Sequence, residues 1–296
     1  MTRLQGTFCL FGTSLIWGMA FIAQSTGMES IGPFTFIAVR FFLGTLVLLP
    51  FAIYQWRQLD QIEKPAIKKW SLIAGFFLFA GACAQQIGLL STSVTNSGFL
   101  TSLYVPLVPI FMLCFFRAPP HFIVWPAAAL SFAGTFLISG GDITQINRGD
   151  AWQILGAFFF TGHIISLSFA MKALPKAVLI SCGQFIFVFI AAIPISFSLE
   201  SPSIAGILNS WPQLAFTGFI SSGIAFLLQM VGQKVVPPSQ ATLIMAMEAV
   251  FAAIFAWLIL SEELMPIAYL GCGLIFVATL LVEIVPEIWK KRHKAH

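Results

Sequence analysis

The stretch Gln85-Gln86-Ile87-Gly88 returns 144 positions later as Gln229-Met230-Val231-Gly232, and the rest of the chain falls into the same register around it. Gly12 meets Gly156, Gly18 meets Gly162, Pro50 meets Pro194 and Thr135 meets Thr279. The chain is therefore two related halves. Hydrophobic residues fill 58% of its 296 positions and charged residues 9%, more apolar surface than a water-soluble domain can bury, so the solvent is a bilayer. Apolar runs of spanning length lie near residues 5–23, 34–54, 70–90, 94–116, 121–139, 151–171, 178–197, 211–231, 240–260 and 266–284. Runs this long, without alternation of period two, are helices, because in lipid the backbone must satisfy its own hydrogen bonds. Five helices per half oblige the second half to lie upside down relative to the first. The expected fold is an all-α membrane protein with ten transmembrane helices, a 5+5 inverted-topology repeat around a central cavity, which is the architecture of a carrier.

The joint between the halves is the polar, turn-rich stretch 141–149. It divides a first repeat at 1–140 from a second at 150–286, and a basic tail follows at 287–296. The first helix is expected to be retained and not cleaved as a secretion signal: only Arg3 charges its start, its apolar run is long, and its loss would break the match with helix six. With the N-terminus in the cytoplasm, 13 of the 15 Lys and Arg residues fall inside: Arg3, Arg57, Lys64, Lys68, Lys69, Arg117, Lys172, Lys176, Lys234 and the four of the tail. Glu29, Asp142, Asp150, Glu200, Glu262 and Glu263 fall outside. The positive-inside rule then places both termini in the cytoplasm of a bacterial-type inner membrane. A net charge of +4 expresses this topology and contact with anionic lipid, not nucleic-acid binding. The longest loop, about Gln55 to Lys69, is expected along the cytoplasmic face.

Five cysteines fall singly within the predicted helices and read as small apolar residues. The sequence holds no phosphate-binding GxxxxGKS, no GxSxG, no HExxH and no pair of carboxylates on one helix face. No catalytic activity, cofactor or metal is expected.

Ionisable side chains inside a membrane are costly, so each is a functional candidate. Three occur here: Arg40, His163 and Glu248. Glu248 shares a helix face with Ala241, Met245 and Ala252, and shifting that face back by one repeat gives Ser97, Thr101, Tyr104 and Val108. The repeat axis thus brings two polar faces together. Gln85, Gln86 and Gln229 can add amides from both halves. Against these roles stand structural ones: a carboxyl bonded to a neighbour for Glu248, a single interhelical hydrogen bond for His163, interhelical glue for the amides. His163 is a candidate relay because the ordinary imidazole titrates near neutrality. Arg40, about two turns in from the outer end of helix two, suits a gate, and Trp17 can line the cavity or pack. Pro106 and Pro109 should kink helix four.

Leu15-Ile16-Trp17-Gly18-Met19-Ala20-Phe21, and Pro33 followed by Phe36-Ile37-Ala38-Val39-Arg40-Phe41, resemble the first two helices of an EamA-type transporter of the drug/metabolite transporter superfamily. Gly98-Phe99-Leu100-Thr101-Ser102-Leu103-Tyr104-Val105-Pro106 is similar to that family's fourth helix, and Leu260-Ser261-Glu262-Glu263-Leu264 to its ninth-to-tenth junction. The resemblance covers nearly the whole chain. It implies a cavity lined by helices one, three, four, six, eight and nine that opens alternately to the two sides. The chain departs from the pattern at Arg117-Ala118-Pro119, where a Gly-Glu pair is common, and at Gln184, the repeat-mate of Arg40.

The expected function is secondary transport of a small metabolite, with export of amino acids or related compounds foremost and proton coupling open. Substrate contacts are expected from Trp17, Gln85, Gln86, Ser97, Thr101, Tyr104, His163, Gln229, Met245 and Glu248, and coupling or gating from Glu248, His163 and Arg40. An importer or facilitator of the same fold, a lipid scramblase or flippase, and a non-transporting scaffold are the alternatives. The partners are a small-molecule substrate and the bilayer; a monomer would suffice, and the sequence does not set the oligomeric state.

Overall fold

The computed structural model describes residues 1–140 and 147–294. Most of the connecting stretch, 141–146 with Asp142 among it, and the last two residues of the tail lie outside the described residues. Ten apolar helices follow one another: α1 Arg3–Gly27, α2 Pro33–Arg57, α3 Glu63–Gly88, α4 Val94–Phe116, α5 Val124–Ile138, α6 Arg148–Ala173, α7 Ala177–Leu199, α8 Trp211–Gln233, α9 Pro238–Leu260 and α10 Pro266–Lys294. Among the described residues nine are long and apolar enough to cross a membrane. The tenth, α5, has 15 residues and so rises about 22 Å. The lipid-facing surface is apolar, with Phe51, Phe115 and Phe197 each more than 60% exposed.

The two halves are an inverted repeat, and the helix contacts follow its pseudo-two-fold axis. α2 packs on its own repeat-mate α7, and α5 on α10; α1 lies on α8 and α9 as α6 lies on α3 and α4. The ends match as well. Arg117 and Ser261, 144 residues apart, both close their helices in the left-handed region at φ 49° and 56°, each N–H bonding a carbonyl five residues back, Met112 and Ala256. α1 and α6 open with capping boxes, Thr2 with Gln5 and Asn147 with Asp150.

Three helices are interrupted near mid-span. α4 breaks between Thr101 and Tyr104, and α9 breaks at Ala246, the repeat-mate of Ser102. Both turns close with an i to i+3 bond, Val105 N–H to Ser102 O at 2.9 Å and Ala249 N–H to Ala246 O at 3.1 Å. The kink is expected from Pro106 and Pro109; the structure shows α4 broken one turn before Pro106, which has no N–H to bond the Ser102 carbonyl, while Pro109 lies inside the second segment. Yet α9 makes the same turn with Val250 in that place, so the proline is not what the break depends on. α8 carries a π-helical segment over Phe216–Ala225, which its repeat-mate α3 lacks. Hydroxyls satisfy the freed backbone: Ser102 Oγ donates to Phe99 O (2.7 Å), Ser14 Oγ to Ile244 O (3.2 Å), Thr279 Oγ1 to Leu243 O (3.1 Å) and Thr13 Oγ1 to Ala225 O (3.1 Å).

The structure departs from the sequence reading between helices two and three. The expected loop over Gln55 to Lys69 is mostly helix, because α2 runs to Arg57 and α3 begins at Glu63, and Pro65 falls in the first turn of α3 where its missing N–H costs nothing. At the other end of α2, the Glu200 carboxylate accepts from Phe34 N–H and Thr35 N–H, both at 2.8 Å, and so pins the C-terminus of α7 to the positive end of the α2 dipole.

Gly18 sets the distance between α1 and the broken α9. A Cβ there would stand 2.9 Å from Ala252 N and 3.0 Å from Glu248 O, both backbone atoms that cannot swing aside. Gly18→Val is expected to force the helices apart and to cost about 1–3 kcal/mol. Thermal unfolding of the purified protein in detergent should show a clearly lowered midpoint, and an unchanged midpoint would mean that this contact is not close.

Candidate functional site

A central cavity, of which about 60 Å³ admits the centre of a water-sized sphere, lies where the broken helices meet. It is lined from α1, α3, α4, α6, α8 and α9, as the sequence resemblance implies, and also from α2 through Arg40 and Phe41. Eight of the candidate residues come together on its wall: Trp17, Arg40, Gln85, Thr101, Tyr104, His163, Gln229 and Glu248.

Glu248 stands just after the break in α9, and Tyr104 just after the break in α4. The Tyr104 hydroxyl donates to Glu248 Oε1 at 2.8 Å, joining residues 144 apart in sequence. These are repeat-mates, and mates can touch only where the pseudo-two-fold axis passes, so this bond marks the axis. Both side chains are buried, 2% exposed each.

Arg40 reaches the cavity from α2 and is buried, 6% exposed. Its guanidinium donates to Gln24 Oε1 (2.7 Å), Ser222 Oγ (2.9 Å) and Ser221 Oγ (3.1 Å), and its carbon lies 5.2 Å from the Phe41 ring centre. All three acceptors are neutral. The two serines sit on the π-helical segment of α8, where the wider ring re-aims side chains. Trp17 Nε1–H donates to the Ser221 carbonyl at 3.3 Å, and its ring meets Phe226 edge-on at 4.9 Å.

The amides differ between halves. Gln85 Nε2–H donates to Thr101 Oγ1 (3.2 Å), which donates on to Gln153 Oε1 (3.3 Å), and Gln153 Nε2–H reaches Ser97 Oγ and Gln85 O, both at 3.0 Å. This closed network ties α3, α4 and α6. Its counterpart Gln229 also lines the cavity and is fully buried, but neither its oxygen nor its nitrogen has a hydrogen-bond partner in the protein. Leaving both ends of a buried amide unmet costs on the order of a few kcal/mol. His163 Nε2–H donates to Gln184 Oε1 at 2.9 Å, so the imidazole is tied to α7 at the position equivalent to Arg40.

The structure does not bring three candidates to the cavity. Ser97 is held within the Gln153 network, Gln86 donates weakly to Gln24 O (3.4 Å), and Met245 is packed in the apolar core beside the α9 break. The helical face that carries Glu248 loses its register at Ala246, and Met245 turns away with it. Sequence reasoning missed Gln24, Gln153 and Ser221. An amide inside a spanning helix was signal enough for the first two, on the same grounds that singled out Gln85, whereas no residue pattern announces the π segment that aims Ser221.

Residues 4–140 and 147–284 each match the model of the EamA-like transporter family. A transporter of the archaeon Archaeoglobus fulgidus is 30% identical over 95% of this chain and 87% of its own length. The inner membrane transporter YedA of Escherichia coli is 25% identical over 92% of this chain and 89% of its own, and a chloroplastic WAT1-related protein of Arabidopsis thaliana 23% identical over 94% and 70%. A solved crystal structure superposes with a TM-score of 0.77 at 15% identity, over 96% of this chain and 99% of that one, which shows the fold. The chain belongs to the EamA-like transporter family and is a multi-pass membrane transporter.

The neutral setting of Arg40 has a measurable consequence. Gln24→Leu removes its shortest acceptor and is expected to destabilise the protein by about 1–3 kcal/mol. Gln24→Glu supplies a carboxylate at the same reach and should keep or raise the thermal midpoint. A Gln24→Leu midpoint equal to wild type would show that the guanidinium does not rely on this bond.

Proposed function

We propose that this member of the family is a secondary transporter for a small zwitterionic metabolite, an amino acid or close relative, which crosses through the central cavity as the two inverted halves alternate its exposure. The observation that carries this reading is the pairing of one carboxyl, Glu248, and one guanidinium without a carboxylate partner, Arg40, on the wall of a single cavity. A desolvated cation among neutral acceptors gains most from an anion brought to it. A substrate carboxylate at Arg40 and a substrate ammonium at Glu248 satisfy both groups at once. Gln229 supplies an amide ready to accept and donate, and Thr101 and Tyr104 supply hydroxyls beside it. Trp17, Phe226 and Phe160 enclose the remaining, apolar part of a substrate.

The Tyr104–Glu248 bond gives such a site a means of coupling. An ammonium or a proton arriving at Glu248 competes with the Tyr104 hydroxyl, and that hydroxyl belongs to the other half of the protein. Occupancy of the site therefore changes the tie between the parts that must move against each other. Proton coupling uses the same carboxyl, and His163 is its candidate relay. The bundle is placed in a bacterial-type inner membrane with both termini in the cytoplasm, a reading supported by the 13 basic residues assigned to that side. Export is the direction favoured, and the same site would serve an importer.

Flux in both directions in proteoliposomes, with and without a pH gradient, tests the reading. The wild type should carry an amino acid while discriminating against its N-acetyl and carboxamide derivatives. Glu248→Gln keeps an acceptor for Tyr104, so it should fold normally yet lower amino-acid flux at least about tenfold and lose discrimination at the amine alone. Arg40→Lys should weaken discrimination at the carboxylate. Wild-type flux in Glu248→Gln would remove the carboxyl from the substrate site.

Gln229→Leu is isosteric in its stem and removes both unmet polar atoms. It is expected to leave the thermal midpoint unchanged or raised while increasing KM several-fold. A purely structural amide would produce the opposite pair of results.

A further inference from the structure

A second hollow opens sideways between α2, α3 and α7, at the end of the bundle where both termini lie. About 480 Å³ of it admits the centre of a water-sized sphere, and it shares no lining residue with the central cavity. Its wall is apolar along α2 from Leu49 to Trp56, a rise of about 10 Å, and on α7 from Leu179 to Ile186. Its mouth carries Arg57 and Lys68, and no acid lines it; Asp60 and Glu63 stand in and just beyond the turn that joins α2 to α3, outside the lining. Lys64 and Lys68 both approach the Trp56 ring, at 5.8 and 6.0 Å, which adds a third cation to this edge.

One polar group is set into the apolar wall. Ser71 is 5% exposed, and its hydroxyl has no hydrogen-bond partner in the protein, although it lines the groove beside Gly183. An apolar slot with cations at one end and no acid in its lining matches an amphipathic anion: chains along the wall and a negative headgroup at Arg57 and Lys68. Basic pockets between membrane helices at headgroup depth take anionic lipids on these grounds.

We propose that this groove binds one anionic phospholipid from the leaflet at the terminus-bearing face. The lipid is a bound ligand and not a transported one, because the groove and the transport cavity are lined by separate residues. Its position against α2 and α7, the repeat-mates that pack on each other across the pseudo-two-fold, makes it a wedge between the two halves.

Native mass spectrometry of the full chain in mild detergent, titrated with phosphatidylglycerol, phosphatidylcholine or free glycerol phosphate, tests the proposal. The wild type should retain a single phosphatidylglycerol at a concentration at least about tenfold below that needed for phosphatidylcholine, and should not retain glycerol phosphate. The double variant Arg57→Gln/Lys68→Gln, both side chains exposed, should lose that preference. Leu72→Trp, which crowds the groove from an exposed position without touching its charge, should weaken retention by a similar factor. Equal retention of the two lipids by the wild type, an undiminished preference in the double variant, retention in Leu72→Trp equal to wild type, or binding of glycerol phosphate alone would each overturn it.

Discussion

A hydroxyl and a carboxyl 144 residues apart, Tyr104 and Glu248, meet at 2.8 Å where the two halves of the chain face each other. Much else follows from that meeting. Two-fold mates can touch only on the axis, so the bond requires α4 and α9 to cross there, and each is broken just before the residue it delivers. A continuous helix would carry its side-chain stripe past the axis at a fixed pitch. A break lets the second segment start afresh, with its first residue aimed at the centre.

Breaks inside a bilayer expose carbonyls that lipid cannot satisfy, and the hydroxyls near them now have a reason. Ser14 and Thr13 on α1 reach Ile244 O on α9 and Ala225 O on α8, so one helix serves two interruptions. Ser102 answers its own turn. Such hydroxyls look incidental in an apolar helix, yet each meets a backbone carbonyl at or beside an interruption. The π segment of α8 adds to this frame. It presents Ser221 and Ser222 to Arg40 and the Ser221 carbonyl to Trp17, holding a cation where lipid-facing packing alone would exclude it.

The symmetric part of this arrangement was legible in the sequence because symmetry leaves a register. The match of Gln85 with Gln229, and of the Tyr104 face with the Glu248 face, points to two walls that the structure brings to one cavity. Arg40 illustrates the opposite case. Its place inside helix two singles it out, but its direction is set by Gln24 and by the π segment, and a ten-residue change of helical pitch leaves no periodic trace in a segment of mixed small and apolar residues. Met245 failed for a related reason. Helical spacing placed it beside Glu248, and the break at Ala246 cancelled the spacing. The stretch Gln55 to Lys69 reads as a loop because it lies between two apolar runs, whereas the helices continue past those runs on polar and charged residues.

What distinguishes a site from a scaffold here is where the symmetry fails. Gln85 is closed within a network and Gln229 is open; Arg40 is a cation and its mate Gln184 an amide bonded to His163. An inverted repeat with identical walls would present any ligand with the same groups in two opposed poses, and neither pose would be preferred. Unequal walls remove that degeneracy. In the proposed function, a ligand bearing two different polar ends would be held one way round by Arg40 and Glu248, while the matching backbones of the two halves would exchange the inner and outer conformations. On that proposal the two-fold frame serves alternation, and the side chains that break the two-fold serve selection.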